Sequence, residues 1–424
     1  MPVVEDLPEP DDVVVELHPG MSGDGPPTSD DDASPPAPEV DALAVIGVPG
    51  AFAALEAHRA LSAGSDVMLV TGDVDLADEV ALKHRAADAG RIVLGPGSDT
   101  AIVDGIGIGV ANVVASGRIG VVATSGSGAQ EASVLLDRFG LGVSRVLVTG
   151  PRDLTDEVGA VSSIAAMRRL ADDPDTDVVV LVAEGFSARG AEAALAALSA
   201  SGTPGSACLV GAEGIAAPDG VEVHGVIDQA VAAAARRAGA RPVIPAAEST
   251  GWVSAGHVRG IFAGSALCAE AAAVLAARLG RVVSNTPAGS AAYLDPRDVV
   301  RGHACLDLQG ESVAHGTPHP LLDPSRRAEL IVDTVSDQTV AVILLDVILG
   351  RGAHPDPAGA LAPAIAEALQ ARPSLQVVAH VCGTEGDPQV LSRQEEHLTR
   401  AGARVAPTSA QAARLAAALV RPAR

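Results

Sequence analysis

Two segments of this chain share one construction: an apolar strand runs into a turn of small residues, and the turn opens directly into an alanine-rich helix. They lie at 121–131 and 261–270, and each helix carries an early glutamate, Glu131 or Glu270, as in a duplicated unit. A helix N-terminus offers free N–H groups and the positive end of the helix dipole, and glycine lets an anion approach the backbone. The sequence therefore predicts two turns that share one anion. The candidate residues are Ser125, Gly126, Ser127 and Gly128 in the first turn, and Gly264, Ser265 and Ala266 in the second.

Over the rest of the chain, apolar strand-like runs alternate with helical stretches, which is the pattern of βα units on parallel sheets. Because only 1% of the 424 residues are aromatic, the cores must consist of Ala, Val, Leu and Ile, as in parallel sheets buried on both faces. We expect an α/β fold with domains at 42–118, 119–242 and 250–424. The acidic, proline-rich leader at 1–41 has the composition of a disordered segment.

Charge and composition exclude several classes of function. The formal net charge of −24 argues against nucleic acid as a partner, because phosphate backbones are bound by clustered Lys and Arg. We find no apolar run long enough to span a membrane and no secretion signal, so we expect a cytoplasmic protein. The 4 cysteines lie far apart, which predicts neither disulfides nor a zinc site, and no structural metal is expected.

Three charged residues are candidates for binding an anion. Arg152 and Asp153 follow a predicted strand, at the edge where doubly wound sheets bind ligands. Arg152 could bind a carboxylate or phosphate with Asp153 orienting it, or the two could form a local pair in which Asp153 caps the next helix. Lys83 is the only lysine of the chain. Either arginine has replaced lysine throughout the sequence and position 83 kept its lysine by chance, or the ammonium group neutralises the charge of a phosphate.

His319 lies between two prolines, which hold its backbone in a rigid extended segment. With Asp323 and Arg327 nearby in the sequence, it could act as a general acid or bind a carboxylate. The alternative is a proline-rich turn that only connects two elements.

Polar residues also end two later strands. Asp346 ends a strongly apolar strand, where a carboxylate needs partners, and Gly350 and Gly352 follow it. We expect Asp346 to hold this loop or a ligand of a partner subunit. Thr384 and Glu385 occupy the same edge one strand later, although the neighbouring Asp-Pro pair also fits a helix start.

Two glycine-containing loops of the first domain are candidates for binding a cofactor. One consists of Gly47, Val48, Pro49 and Gly50, and the other begins with Gly95 and Pro96. The first loop is not a complete G-x-G-x-x-G fingerprint, so it does not predict NAD.

Several motifs together resemble the FdrA family of the succinyl-CoA ligase superfamily. The matching stretches are 78–83, 95–96, 125–131, 152–159, 318–324, 345–352 with 356–357, and 383–389. This resemblance implies a Rossmann-like CoA-binding-type domain followed by two flavodoxin-like CoA-ligase domains with parallel sheets. The chain departs from the family in having Ser98 where Cys is common, Pro151 for Gly, and no extra N-terminal domain. It also lacks the Gly-His-Ala-Gly loop and the ATP-grasp domain of succinyl-CoA ligases.

The resemblance implies transfer of a carbamoyl or acyl group to or from phosphate. Some FdrA proteins are subunits of an oxamate carbamoyltransferase in purine and allantoin breakdown, so we expect carbamoyl phosphate and an oxamate-like acid as substrates, and a hetero-oligomer with partner subunits. The two turns would hold the phosphate, Arg152 and Lys83 would balance its charge, and His319 would move a proton. One alternative is an acyl-CoA synthetase subunit that binds CoA at 47–50 and 95–100. The other is a non-catalytic scaffold that binds an anion.

Overall fold

The computed structural model describes residues 42–247, 255–295, 297–298, 300–310 and 318–420, together with the backbone of 15–17. The chain divides into two compact units between Ser98 and Asp99. The predicted α/β fold with parallel sheets is confirmed. The rest of the predicted disordered leader lies outside the described residues.

The first unit is built on a parallel sheet of four strands, sheet A, in the order β1-β2-β3-β4. Its edge strand β1 comes from the leader and pairs with β2. The strands are β1 (Val15–Leu17), β2 (Leu43–Ile46), β3 (Asp66–Leu69) and β4 (Val93–Leu94), and the helices are α1 (Gly50–Ser62) and α2 (Leu76–Asp88).

The second unit contains two seven-stranded sheets, and the first of them, sheet B, has the order β11-β10-β9-β7-β8-β5-β6. Its strands are β5 (Thr100–Val103), β6 (Ile106–Gly109), β7 (Ile119–Ala123), β8 (Val146–Val148), β9 (Val178–Ala183), β10 (Gly205–Leu209) and β11 (Val221–His224). Its helices are α3 (Gly126–Arg138), α4 (Val161–Asp172), α5 (Ala188–Ala200) and α6 (Ile227–Arg237).

The other seven-stranded sheet, sheet C, has the order β14-β13-β15-β12-β16-β17-β18. Its strands are β12 (His257–Phe262), β13 (Val282–Ser284), β14 (Ala292–Tyr293), β15 (His303–Asp307), β16 (Val340–Ile348), β17 (Gln376–Cys382) and β18 (Arg404–Ala406). Its helices are α7 (Ser265–Leu279), α8 (Ser325–Asp333), α9 (Pro357–Ala371), α10 (Leu391–Arg400) and α11 (Ser409–Ala418), and a 3-10 turn covers Thr334–Ser336.

Residues 99–118 belong to the second unit, although the sequence placed them in the first domain. The reason is the hairpin β5–β6, whose turn residues Asp104 and Gly105 both have positive φ, at 50° and 78°. Such a two-residue turn matches the twist of an antiparallel pair. Strand β5 then pairs antiparallel with β8 and extends the sheet, so the unit begins at Asp99 instead of 119.

Sheets B and C repeat one arrangement, as the duplicated turns predict. A strand (β7 or β12) leads into a central helix (α3 or α7), and a later strand (β9 or β16) lies beside that first strand. Residues 126–136 of α3 and 266–276 of α7 are all buried. A helix that is buried on every side must be rich in small and apolar residues, which explains the alanine content of both segments.

The second unit consists of two halves, sheet B with its helices and sheet C with its helices. The two early glutamates connect these halves, each by accepting an N–H group of the other half. Glu131 on α3 accepts the backbone N–H of Ser409 at the start of α11 (3.2 Å), and Glu270 on α7 accepts that of Ile227 at the start of α6 (2.7 Å). Each central helix therefore caps the last helix of the other half, where unpaired N–H groups need acceptors.

These equivalent glutamates have opposite protonation behaviour. Burial would raise the pKa of Glu131, but His380, 2.7 Å from its carboxylate, and Arg138 lower that pKa below its usual range. Burial raises the pKa of Glu270 to about 8, and the nearby carboxylate of Asp228 adds to the effect. Glu131 is therefore the ionised member and Glu270 the neutral one at pH 7.

We expect Glu270→Gln to raise the free energy of unfolding by about 4 kcal/mol at pH 8 and by only about 1 kcal/mol at pH 5. The folded protein keeps this carboxyl protonated up to about pH 8, whereas the unfolded chain ionises it above about pH 4.3, so the wild type loses stability between these values. Urea unfolding at both pH values measures the difference.

Glu131→Gln is the matched control. It takes the charged partner from the buried His380, so it should lower the free energy of unfolding at both pH values, by about 2 kcal/mol or more. A Glu270→Gln protein that is less stable than the wild type at pH 8 would contradict the neutral state that we assign to the Glu270 carboxyl.

Candidate functional site

The structure brings the two predicted anion turns into direct contact. The hydroxyl of Ser127, in the first turn of α3, accepts the backbone N–H of Ala266 in the first turn of α7 (3.0 Å). The approach is close because both turns lack bulk: a Cβ added to Gly264 would lie 2.7 Å from Cβ of Ser127. The N-termini of the two central helices therefore meet at the carboxyl edges of sheets B and C.

The α7 turn is filled by a side chain of the protein itself. The carboxylate of Asp346 accepts the N–H groups of Ala263 and Gly264, each at 2.8 Å. The buried guanidinium of Arg327 donates to Oδ1 of Asp346 (2.8 Å) and also to the backbone oxygens of Asp346 and Ile261. Burial raises the pKa of Asp346, and Arg327 opposes that rise.

Protein groups therefore occupy most of the anion cradle expected at Gly264, Ser265 and Ala266, although the backbone N–H of Ser265 has no acceptor within the described residues. Asp346 takes the N–H of Gly264, Ser127 takes that of Ala266, and the Ser265 hydroxyl donates to Gln309 (3.3 Å). The expectation of one anion shared by both turns does not fit this arrangement, because Asp346 already provides the negative charge at α7.

The α3 turn is different. The Ser125 hydroxyl caps the helix by accepting the N–H of Gly128 (3.3 Å). Within the described part of the chain, the N–H groups of Gly126 and Ser127 have no hydrogen-bond acceptor. These N–H groups and the helix dipole leave a site that suits a phosphate-sized anion.

Glu184 reaches this turn from the end of β9, and the sequence analysis missed it. The residue is 4% exposed, one carboxyl oxygen lies 3.3 Å from Oγ1 of Thr124, and the other has no hydrogen-bond partner among the described residues. Burial raises the pKa of Glu184 to about 7, against the opposing effect of Ser125 and Thr124. An acidic residue directly after a fully buried strand is the sequence signal for this position.

Asp99 and His319 lie on another side of the same turn. A Cβ added to Gly126 would fall 1.9 Å from Oδ1 of Asp99, which also accepts the Thr100 hydroxyl (3.0 Å). Burial raises the pKa of Asp99 and lowers that of His319, and the charges of the two groups oppose these shifts. His319 is half-buried, with Nδ1 accepting the N–H of Leu321 (3.3 Å).

His319 is separated from its two sequence neighbours. Asp323 accepts the N–H of Ser325 (2.9 Å) at the start of α8, on the surface, and Arg327 is committed to Asp346. The structure therefore keeps His319 near the α3 turn and gives Asp323 and Arg327 structural contacts.

Asp153 adopts the helix-capping alternative. Its carboxylate accepts the N–H groups of Ser162 (3.2 Å) and Ser163 (2.7 Å) at the start of α4. Arg152 is half-buried beside it, in the turn whose Pro151 carbonyl lies near Gly185, the residue after Glu184. Arg152 thus stays a candidate at the carboxyl edge of sheet B.

The polar residues after β16 and β17 hold loops in place. The N–H of Gly350 donates to Gln389 (3.2 Å), the Thr384 hydroxyl donates to the carbonyl of Val113 (2.6 Å), and Glu385 accepts the N–H of Ser392 (3.0 Å). Gly352 has a positive φ of 77°, which favours glycine. These contacts give the four residues structural roles that require no ligand.

In the first unit, Lys83 forms an ion pair with Glu79 (2.8 Å), and both side chains are fully buried. This pairing one helical turn apart gives Lys83 a structural role within α2.

The two glycine loops of that unit differ in how much space they leave. A Cβ on Gly47 would meet nothing within 4 Å, whereas one on Gly50 would lie 1.2 Å from the carbonyl oxygen of Asp73. Gly95 has a φ of 91°, precedes the cis-bonded Pro96 and packs against the carbonyl of Leu69. Packing thus requires Gly50 and Gly95 but not Gly47, and Val48 and Pro49 complete that loop before α1.

Among the described residues, no group of three or more His, Cys, Asp or Glu side chains could hold a metal ion. The four cysteines are free and buried. None of the helices that the structure describes is long and apolar enough to cross a membrane.

Comparison with known proteins places these features in a family. Residues 261–419 match the CoA-ligase family model. YahF, an uncharacterized protein of Escherichia coli K12, is 32% identical over 392 residues, which cover 88% of this chain and 76% of YahF. The alpha subunit of the ADP-forming succinate–CoA ligase of Methanothermobacter thermautotrophicus is 30% identical over 143 residues, 33% of this chain and 47% of that subunit.

Among solved structures, the dinucleotide-forming acetyl-coenzyme A synthetase 1 of Ca. Korarchaeum cryptofilum, in complex with phosphate and ADP, matches with a TM-score of 0.38 at 15% identity. The match covers 91% of this chain and 83% of the synthetase chain.

We expect Arg327→Met to lower the free energy of unfolding by about 3–5 kcal/mol, because it leaves the Asp346 carboxylate buried without its cation. Arg326→Met is the control: Arg326 is the preceding residue, its ion pair with Glu329 is exposed, and the substitution should change stability little. Urea unfolding of the two variants tests the assignment, and equal effects would contradict it.

Proposed function

Since this chain belongs to the family of YahF and carries a CoA-ligase domain, we propose that it is an acyl-CoA-ligase-like enzyme whose α3 N-terminus binds phosphate or a phosphoryl group. The observation that carries the proposal is the difference between the two turns. The α7 turn already holds the Asp346 carboxyl, whereas the α3 turn keeps the N–H groups of Gly126 and Ser127 available near Glu184, one of whose carboxyl oxygens has no hydrogen-bond partner among the described residues. One anion therefore binds at α3.

The chemistry proposed is transfer of an acyl group to or from phosphate. The N–H groups of Gly126 and Ser127 would stabilise the phosphate charge, and Arg152 would add positive charge from the neighbouring turn. His319, beside Asp99, would accept or donate a proton. Because no residue of the turn is an evident covalent nucleophile, we favour direct attack by the acceptor on a carbonyl positioned next to the phosphate.

We further propose that the first unit binds CoA at the start of α1. Neither packing nor backbone conformation requires glycine at position 47, which leaves close approach of a ligand as the reason for it. Phe52 and Leu55, one turn apart on α1, are 64% and 53% exposed. Exposed apolar side chains beside a helix N-terminus would suit a ligand with both a base and phosphates.

The narrower FdrA-type assignment, an oxamate carbamoyltransferase subunit acting with partner subunits, is a second candidate. Carbamoyl phosphate presents the same phosphate group to the α3 turn, so that turn suits either reaction. The two differ in whether CoA binds, and a scaffold would show no dependence of activity on the turn.

We expect calorimetric titration of the full chain to show binding of phosphate, carbamoyl phosphate and CoA, with two glycine variants separating the sites. Gly126→Ala places a methyl group against Asp99 and should weaken binding of both phosphates at least about tenfold while leaving CoA binding unchanged. Gly47→Ala has open space for its methyl group, so the fold should be unaffected. Any loss of CoA binding would then mean that the methyl group obstructs CoA itself.

The outcomes distinguish the candidates. CoA binding that Gly47→Ala weakens supports the acyl-CoA-ligase-like enzyme. Carbamoyl phosphate binding that Gly126→Ala weakens, without CoA binding, supports the carbamoyltransferase. Failure of all three ligands to bind would overturn the proposal for the isolated chain.

A further inference from the structure

We propose that Glu184 takes part in anion binding as a neutral carboxyl that donates a hydrogen bond to the bound oxyanion, so that uptake of the anion is linked to uptake of one proton. This inference rests on the anion site of the proposed function and adds a requirement for a proton to it.

The local hydrogen bonds satisfy only part of the Glu184 carboxyl, which the hydroxyls of Thr124 and Ser125 approach. Oγ1 of Thr124 accepts the backbone N–H of Glu184 (3.2 Å), and it lies 3.3 Å from both the carbonyl oxygen and one carboxyl oxygen of Glu184. A hydroxyl has a single hydrogen, so it fully satisfies only one of these two oxygens. The second carboxyl oxygen is buried and has no partner within the described residues. A buried group in this state gains most from a ligand that completes its hydrogen bonds.

The equivalent acid of the other half shows what is missing. Asp346 on β16 and Glu184 after β9 both reach the turn that follows the neighbouring first strand. Asp346 has two backbone N–H groups and Arg327 as donors. Among the described residues, hydroxyls of Ser125 and Thr124 and the backbone N–H of Glu184 act on the Glu184 carboxyl, and the charged group that acts on it is Asp307 of β15, which is a like charge.

Electrostatics then favours the protonated form when an anion is present. Burial and Asp307 raise the pKa of Glu184 to about 7, so its proton is available under neutral conditions. An ionised carboxylate next to a phosphate or sulfate oxygen would repel it, whereas a carboxylic acid donates a hydrogen bond to it. The two states therefore differ in affinity for the same ligand, which is the condition for linkage.

Three further groups near Glu184 or the turn titrate and must be separated from it. Asp99 and His319 lie on the other side of the α3 turn, and the Cys208 thiol of β10 lies close enough for Glu184 to act on its pKa. Burial raises the pKa of Cys208 well above its usual range, so the thiol stays neutral near pH 7. Asp99→Asn removes the carboxyl charge on the opposite side.

The test uses sulfate, which remains a dianion across the pH range, in calorimetric titrations of the full chain at pH 6, 7 and 8. With a carboxyl pKa of about 7, we expect sulfate to bind about tenfold more weakly at pH 8 than at pH 6. Titrations at pH 7.5 in two buffers of different ionisation enthalpy should show net proton uptake on binding, a readout that a purely structural glutamate would not give.

Glu184→Gln keeps the size and the donor group of the protonated carboxyl but cannot titrate. It should bind sulfate with less than about a twofold change between pH 6 and 8 and without proton uptake. Asp99→Asn should retain most of the pH dependence, and Glu270→Gln, which removes a buried titrating carboxyl at the interface of the two halves, should retain all of it.

A wild type that binds sulfate equally at pH 6 and 8 without proton uptake would overturn this inference while leaving the anion site intact, and so would a Glu184→Gln protein that keeps the pH dependence. Absence of sulfate and phosphate binding at every pH would overturn the anion site and this inference together.

Discussion

The head-to-head contact of two helix N-termini is the constraint on which the second unit depends. Ser127 and Ala266 bring the positive ends of α3 and α7 together in the buried interior of the second unit. Two like dipole ends repel each other unless negative charge or hydrogen-bond acceptors compensate. At α7 the Asp346 carboxyl provides that compensation by accepting two N–H groups of the turn. Three further buried carboxyl groups lie near the two turns: Asp99, Glu184 and Asp307. The acidic surroundings of the turns therefore follow from the packing of the helices.

The two halves solve the same electrostatic problem differently. In sheet C, Arg327 and Asp346 form a closed ion pair that also holds the turn, and no further partner is needed. In sheet B, Glu184 follows the corresponding strand, no cation among the described residues acts on it, and the turn beside it keeps N–H donors without acceptors. A duplicated unit has thus become asymmetric, with one turn structural and the other left for a ligand.

The sequence predicted the elements better than their contacts. The βα alternation and the paired turns sufficed for the α/β fold and for the central helices, because periodicity and glycine placement are local signals. Local signals did not reveal that Glu131 caps α11 or that Asp346 occupies the α7 turn, since each depends on which segments the fold brings together. Capping of α4 by Asp153 is a local contact, and it was one of the two alternatives that the sequence offered. The hairpin at 104–105 had a local Asp-Gly signal that was overlooked, and this moved the boundary of the first unit.

Retention of a buried, unpaired carboxyl is itself an argument for a ligand. With its pKa raised from 4.5 to about 7, Glu184 costs the folded state about 3 kcal/mol at and above neutral pH relative to a carboxyl with an ordinary pKa. The neighbouring half shows that an arginine on an adjacent helix compensates such a group within the same architecture. Folding alone would be served better by that solution, or by glutamine at this position. Perturbed carboxyls of this kind are typical of sites where the charge and the proton are used in binding or chemistry. The open N–H groups of the α3 turn lie beside this carboxyl, so the unfavourable burial of Glu184 and the site for an anion are two aspects of one arrangement.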